Sequence, residues 1–245
     1  KEINKELETA KKEAEKFVLL KTHFLMQMSH EIRTPLNIIL NSTELLKMNY
    51  ASASPENLNE LFDMMEKGSG RIIRTIDGII ELSEINSGNY DIHPEKFNLE
   101  TDVLMPLIQK YDLKAADKGL GLIYVKNNGP KDLSLDKFMI FHLFEEIIDN
   151  AIKFTTTGEI TVTEFLNDKN ELSVTVNDTG IGISREFLPE IFEPFRQEYT
   201  GNSRKFEGNG IALALVKKYA ELNNMTVSVE SEKNVGTTFT IVFNK

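Results

Sequence analysis

The 245-residue chain is predicted to be multidomain: an all-α helical hairpin that forms a dimeric four-helix bundle, followed by an α+β sandwich in which helices cover a mixed sheet. Three observations predict this. Apolar residues recur every three or four positions through the first third of the chain. The period drops to two beyond the turn-rich Asn86-Ser-Gly-Asn89. The length suits two domains, given that about 100 to 200 residues is usual for one.

Ile3, Leu7, Ala10, Ala14, Phe17, Lys21, Phe24 and Met28 form a coiled-coil-like seam with one lysine interruption, which implies a partner helix. The charged residues between them read as a solvated face. The helical pattern continues through Leu36, Ile39 and Leu45 and breaks at Asn49-Tyr-Ala-Ser-Ala-Ser-Pro55. There Ser54 is placed to cap a second helix that carries Pro55 in its first turn. Leu58, Leu61, Phe62, Met65, Ile72, Ile76, Ile79 and Ile80 give that helix its apolar stripe. One hairpin buries two such stripes poorly, so residues 1 to about 88 are expected to dimerise.

In the second domain, Ile160/Val162, Leu172/Val174/Val176, Val227/Val229 and Phe239/Ile241/Phe243 alternate as strands do. Helical segments are expected around 99–117, 136–154 and 209–223, with Pro106 bending the first or marking its true start.

Composition narrows the function. With 40% hydrophobic and 27% charged residues the chain can bury a core, and its net charge of −10 argues against binding driven by nucleic-acid phosphates. The absence of cysteine removes disulfides, thiolate metal sites and thiol nucleophiles. No stretch approaches the roughly 18 apolar residues of a membrane span, and the N-terminus lacks the apolar core of a signal peptide. A soluble portion is expected. Because it opens in mid-helix pattern with Lys1-Glu-Ile-Asn-Lys, it reads as a central or C-terminal piece of something longer.

The first chemical cluster is Ser29-His30-Glu31-Ile-Arg33-Thr34-Pro35-Leu36-Asn37. At about 100° per residue, Leu25, Ile32, Leu36 and Ile39 fall on the side of Met28, whereas His30 points away into water. A neutral imidazole there offers a nitrogen lone pair as nucleophile, and the Glu31 carboxylate could orient the ring or accept its proton. Pro35 removes an N–H and crowds the Glu31 carbonyl at a cost of about 3 kcal/mol, which predicts a kink. The competing reading is an ordinary surface histidine. His23 reads as such a bystander, and His93 and His142 read as structural.

Glu146, Asn150 and Lys153 recur at i, i+4 and i+7 on one helix face. An amide oxygen suits Mg²⁺ and an ammonium suits phosphate, so the trio fits a metal-nucleotide, with a plain polar face as the alternative. Asp178-Thr-Gly180-Ile-Gly182 follows a strand and could accept hydrogen bonds from an adenine amino group. The segment Gly201-Asn-Ser-Arg-Lys-Phe-Glu-Gly208-Asn-Gly210 precedes a helix and reads either as a lid leading to phosphate-binding N–H groups or as a flexible surface loop. No P-loop or dinucleotide fingerprint is present.

Taken in order, Ser-His30-Glu31-x-Arg33-Thr34-Pro35, Asn150-Ala-x-Lys153-Phe154, Asp178-x-Gly180-x-Gly182, Phe192-Glu-Pro-Phe195, Gly208-x-Gly210 and Gly236-Thr-Thr238-Phe239 resemble the core of a two-component sensor histidine kinase. The resemblance spans nearly the whole chain. It implies a coiled-coil signalling helix over 1–22 running into a dimerisation and phosphoacceptor domain over 23–88, then an ATP-binding domain of the gyrase, chaperone, kinase and MutL superfamily over 95–245. It further implies that His30 receives the γ-phosphoryl of ATP, Glu31 serves as base, and Thr34 orients water for dephosphorylating the partner. Asn150 would hold Mg²⁺ with Glu146 beside it, Lys153 would contact phosphate, and Asp178 would recognise adenine. Gly180, Gly182, Gly208, Gly210 and Thr238 would line the nucleotide. The implied partners are a second copy of the chain and an aspartate on a response-regulator receiver domain, with nucleic acid excluded and a membrane reached only through segments upstream. This portion is expected in the cytoplasm.

Two positions depart from the family pattern. Glu146 stands where these kinases commonly place asparagine and hydrolytic relatives place glutamate, so futile ATP hydrolysis or a shifted Mg²⁺ environment is expected. Ala212 replaces a glycine of the Gly-x-Gly-x-Gly run. The alternatives to a kinase are an ATP-hydrolysing conformational machine, favoured by Glu146, and a nucleotide-binding phosphatase or scaffold using Thr34.

Overall fold

The computed structural model describes residues 26, 28–48, 54–126, 132–198 and 210–244. The chain divides into two compact units, Lys1–Glu81 and Leu82–Lys245. The predicted seam from Ile3 to Phe24, and His23 within it, lie outside the described residues.

Helix α1 covers 28–48 and α2 covers Pro55–Asn86. Ser54 caps α2 as predicted, its hydroxyl accepting the Asn57 N–H at 3.3 Å and so satisfying one of the donors a helix start leaves unpaired. The helix ends where Gly88 takes φ +70° and the Asn89 N–H reaches the Glu84 carbonyl at 3.1 Å. Helix α1 runs on through Pro35, which is buried. The two helices meet closely at Gly68, where a Cβ would lie 3.1 Å from Ile39 Cγ1 and 3.2 Å from the Pro35 carbonyl oxygen. Glu31, Pro35 and Ser42 are therefore the buried positions of α1, a line spaced four and seven residues apart. Of the side expected from periodicity, Ile39 reaches α2 at Gly68 while Leu36 stays on the outside of the single hairpin. Leu36 lies one residue, about 100°, off that line and remains 42% exposed. Leu40, Leu45, Phe62, Ile76 and Ile80 are likewise exposed.

The second unit begins with β1 (Pro94–Asn98), a π-helical turn (Glu100–Leu104) and α3 (Met105–Asp117). Pro106 sits at the first positions of α3, where its missing N–H costs nothing, and so marks the helix start. Next come β2 (Gly121–Val125), β3 (Asp132–Asp136), α4 (Lys137–Phe154), β4 (Glu159–Leu166) and β5 (Leu172–Asp178). A 3₁₀ turn (Leu188–Glu190), α5 (Ala212–Leu222), β6 (Met225–Glu232) and β7 (Gly236–Phe243) complete the unit.

The main sheet has the order β2-β4-β5-β7-β6, with β2 parallel to β4 and the other neighbours antiparallel. A separate two-stranded sheet pairs β1 with β3. Ile160, Val162, Val174, Val176, Phe239, Ile241 and Phe243 are buried, while the intervening Thr161, Thr163, Thr175, Asn177 and Thr240 are more exposed, so the helices cover one face. Helix α4 is the keystone of that cover: Ile140, Leu143, Phe144, Ile147, Ile148 and Ile152 are all fully buried, each contributing about 1.5–3 kcal/mol. Asp136 fixes where α4 starts, one oxygen accepting the Met139 N–H at 3.1 Å and the other the His93 N–H at 2.9 Å. At the other end the Lys118 ammonium donates to the Ile152 carbonyl at 2.9 Å and the Lys153 carbonyl at 3.5 Å.

The periodicity reading missed β1, β2 and β3. All three are five residues long; β2 is an edge strand, and β1 opens on a proline, so none shows an extended alternating run. Among the described residues no helix is long and apolar enough to cross a membrane.

Candidate functional site

In the first unit His30 is exposed on α1, as the helical arithmetic requires. One turn along, the Thr34 hydroxyl donates to the His30 carbonyl at 3.1 Å. Glu31 faces another way: it is 3% exposed, and its carboxylate accepts from the Arg71 guanidinium of α2 at 2.9 Å. The carboxylate expected beside the imidazole is thus engaged across the hairpin. Arg71 escaped the sequence reading, although a charged residue next to Ile72 in an apolar stripe was its signal.

In the second unit the chemistry gathers where α4 ends against the turn after β5. The Ile181 N–H donates to the Phe154 carbonyl at 3.2 Å, so the C-terminus of α4, with Lys153 on it, abuts the Asp178–Gly182 loop. Asp178 is 6% exposed and accepts the Gly180 N–H at 2.8 Å. Burial pushes its carboxyl up to about 6, against the lowering pull of the Gly180 and Thr237 N–H groups. Gly180 is obligatory: a Cβ there would lie 2.6 Å from the Phe154 carbonyl oxygen and 2.7 Å from Asp178 Oδ1. Gly182, at φ +60°, backs onto the β6–β7 hairpin, a Cβ there falling 2.0 Å from the Glu232 carbonyl oxygen. Gly210, at φ +69°, accepts the Phe195 N–H at 2.7 Å. Gly208 lies outside the described residues.

The strand register separates Thr238 from Thr237. Asp178 pairs with Thr237 across β5 and β7, and residues opposite one another share a face. Thr237 therefore lies on the face of Asp178. Thr238 lies on the other, where its hydroxyl accepts from the exposed Asn177 amide at 2.6 Å. Two adjacent threonines are equivalent in sequence, and only the strand register separates them.

On α4, Glu146, Asn150 and Lys153 are half-buried, and the Lys153 ammonium lies 4.6 Å from the Phe154 ring centroid. Burial, then the charges of Asp149 and Glu145, push Glu146 up to about 7, with His142 and Lys153 partly opposing. Its neighbour Glu145 goes the other way, to about 2, held ionised chiefly by its hydrogen bond to His142 and then by Lys110. His142 thus has a local role, its Nδ1 3.1 Å from Glu145. Adjacent carboxyls with opposite shifts separate an ion-paired residue from one that can exchange protons near neutral pH.

A buried carboxyl at Asp178, a turn that excludes side chains at Gly180 and Gly182 and oxygen donors on α4 are chemistry that fits an adenine nucleotide with a hard divalent cation. Comparison with known families agrees. A model described as "Histidine kinase-, DNA gyrase B-, and HSP90-like ATPase" matches residues 135–245, and one described as "His Kinase A (phospho-acceptor) domain" matches residues 20–88. The chain belongs to the sensor histidine kinases. The phosphoacceptor match contains His30, and the ATPase match contains Glu146 through Gly236.

Among related sensor kinases, the autoinducer 2 sensor kinase/phosphatase LuxQ of Vibrio vulnificus (strain YJ016) is 35% identical over 97% of this chain and 28% of its own length. The sensor histidine kinase RcsC of Escherichia coli (strain K12) is 33% identical over 90% of this chain and 23% of its own length. The chain therefore spans about a quarter of these relatives. Among solved histidine kinases, AdeS of Acinetobacter baumannii superposes with a TM-score of 0.67 at 18% identity, covering 88% of this chain and 97% of that one. Full-length ShkA in complex with AMPPNP gives 0.66 at 22% identity, covering 88% of this chain and 44% of that one. These two likenesses concern the fold.

Proposed function

We propose that this chain transfers the γ-phosphoryl group of ATP to His30 and passes it on to an aspartate of a response-regulator receiver domain. The observation that carries the reading is the pairing, in one chain, of an exposed imidazole on a helical hairpin with a buried carboxyl at Asp178, which we read as the adenine acceptor. A conformational ATPase has no use for the first, and a plain phosphoacceptor domain has none for the second.

Asp178 accepts the adenine amino group, with Thr237 beside it and Gly180 keeping the loop close. Asn150 holds Mg²⁺, with Glu146 one turn away, and Lys153 neutralises phosphate charge; the cation supplies charge neutralisation between the phosphates. A ring nitrogen of His30 attacks the γ-phosphorus as the bond to the bridging oxygen breaks, releasing ADP. Its displaced proton passes to Glu31 once that carboxylate swings off Arg71. Residues 23–88 supply dimerisation and the phosphoacceptor, 95–245 the nucleotide domain, and 1–22 the helix leading in. The exposed Leu36, Leu40, Phe62, Ile76 and Ile80 form the surface that a second copy covers.

A phosphatase activity toward the receiver is a second reading. It is supported by Thr34, one turn from His30 and bonded to its carbonyl, and by the relatives named kinase/phosphatase. Incubation with radiolabelled ATP and Mg²⁺ tests both. An acid-labile, alkali-stable label absent from His30→Gln supports the kinase. No label, even with manganese and long incubation, overturns it. A Thr34→Ala variant that labels normally but no longer dephosphorylates a receiver supports the second reading.

A further inference from the structure

Glu198 and Lys233 belong to none of the motifs quoted above and are assigned no role toward adenine, phosphate or metal. Their placement is nonetheless specific. Glu198 Oε1 accepts the Ser184 N–H at 3.1 Å, and its Oε2 accepts from the Lys233 ammonium at 2.8 Å. Lys233 also reaches the Gly182 carbonyl at 3.3 Å. Both oxygens of one carboxylate are therefore spent on the loop that follows Asp178 and on the hairpin between β6 and β7. The hydrogen bonds from Lys233 and Ser184 hold the Glu198 carboxyl below its usual range despite burial.

The same loop is stitched to the hairpin at two more points. The Ile183 N–H donates to Ser231 Oγ at 2.8 Å, and the Asn234 N–H donates to the Ile181 carbonyl at 2.8 Å. Ser231 in turn bonds Thr237 Oγ1 at 2.9 Å, and the Thr237 N–H is one of the donors on Asp178. A polar path thus runs from Glu198 through Lys233 to the Gly182–Ile183 peptide, and from there through Ser231 and Thr237 to Asp178. The two peptide groups between Gly182 and Ser184 hydrogen-bond to side chains rather than within regular secondary structure.

We propose that Glu198 and Lys233 form an ionic clamp that sets the position of the Gly180–Ser184 loop and thereby tunes nucleotide affinity. They are positioning residues that act through the loop and through Thr237. The inference rests on the nucleotide reading of Asp178. Lys233 is one-third exposed, so the ion pair itself contributes modestly. The charge-assisted bond to the Ser184 N–H, on the less exposed carboxylate, contributes more.

The test is a graded series in the 245-residue chain, titrated with Mg-ADP by calorimetry and assayed for His30 labelling across ATP concentrations. Glu198→Ala is expected to raise the Kd for Mg-ADP and the KM for ATP about tenfold. Glu198→Gln keeps an oxygen for the Ser184 N–H, and Lys233→Met keeps the carboxylate, so each should raise them about threefold. Lys233→Arg should restore near wild-type values. The labelling rate at saturating ATP should stay within about twofold throughout. The proposal is overturned if Glu198→Ala leaves Kd and KM unmoved, or if saturated rate and thermal midpoint fall together with affinity. Wild type that binds no Mg-ADP overturns the nucleotide reading and the clamp with it; wild type that binds no better than Glu198→Ala overturns the clamp alone.

Discussion

Glu31 and Arg71 form a 2.9 Å ion pair across the helical hairpin, with side-chain exposures of 4% and 14%. Removing one partner of such a pair strands the other in a poorly hydrated place, at about 3 kcal/mol. Arg71→Met should lower the urea midpoint of the hairpin accordingly, and Glu31→Leu/Arg71→Leu should recover most of the loss. Glu31→Gln, which keeps the shape, should slow His30 labelling about 10²-fold if the carboxylate takes the proton. Labelling at the wild-type rate removes Glu31 as base.

Asp178 sets a pH dependence. Burial raises its carboxyl from 3.8 to about 6, so the nucleotide-free fold favours the protonated form. That contribution is complete below pH 3.8 and is lost as the pH climbs through 6. Adenine's amino group needs the ionised form, so nucleotide affinity should run the opposite way, weakening about tenfold per unit below pH 6 and levelling above it. Calorimetric titrations from pH 5 to pH 8 read this directly. A flat profile contradicts the role, and Asp178→Asn should flatten the stability curve while abolishing binding.

Glu146 is pushed up to about 7, a range in which a carboxyl both takes and gives protons. Glu146→Asn should reduce phosphate release that bypasses His30 by about tenfold or more, with His30 labelling kept. Unchanged release in a His30→Gln background rules out the general-base role.

Gly180 and Gly70 should respond oppositely to alanine. At Gly180 a methyl meets the Phe154 carbonyl oxygen at 2.6 Å, so Gly180→Ala should cost about 1–3 kcal/mol and weaken nucleotide binding. At Gly70, inside α2, a Cβ meets nothing within 4 Å. Gly70→Ala should stabilise by about 0.5–1 kcal/mol. Thermal melts of the two variants check both signs.

Local chemistry made much of this legible. The Ser54 cap, the exposed face of His30 and the tight turn after Asp178 each follow from residue type and spacing within a few positions. What escaped depends on pairings distant in the chain. Thr237 and Thr238 are told apart only by the register of β7 on β5, and the engagement of Glu31 only by a residue forty positions away. The space a side chain at position 182 would need is taken by the backbone of the β6–β7 hairpin, which no local spacing encodes.

Helix α4 turns its carbonyl end, which carries about half a negative charge, toward the Asp178–Gly182 loop, next to Lys153, the residue proposed to meet phosphate. Unshielded, it would repel the very polyanion the site must attract. The Lys118 ammonium sits on the Ile152 and Lys153 carbonyls and cancels part of that field from behind. A lysine on the far side of the helix end thereby softens a field that would otherwise oppose any polyanion at this unit.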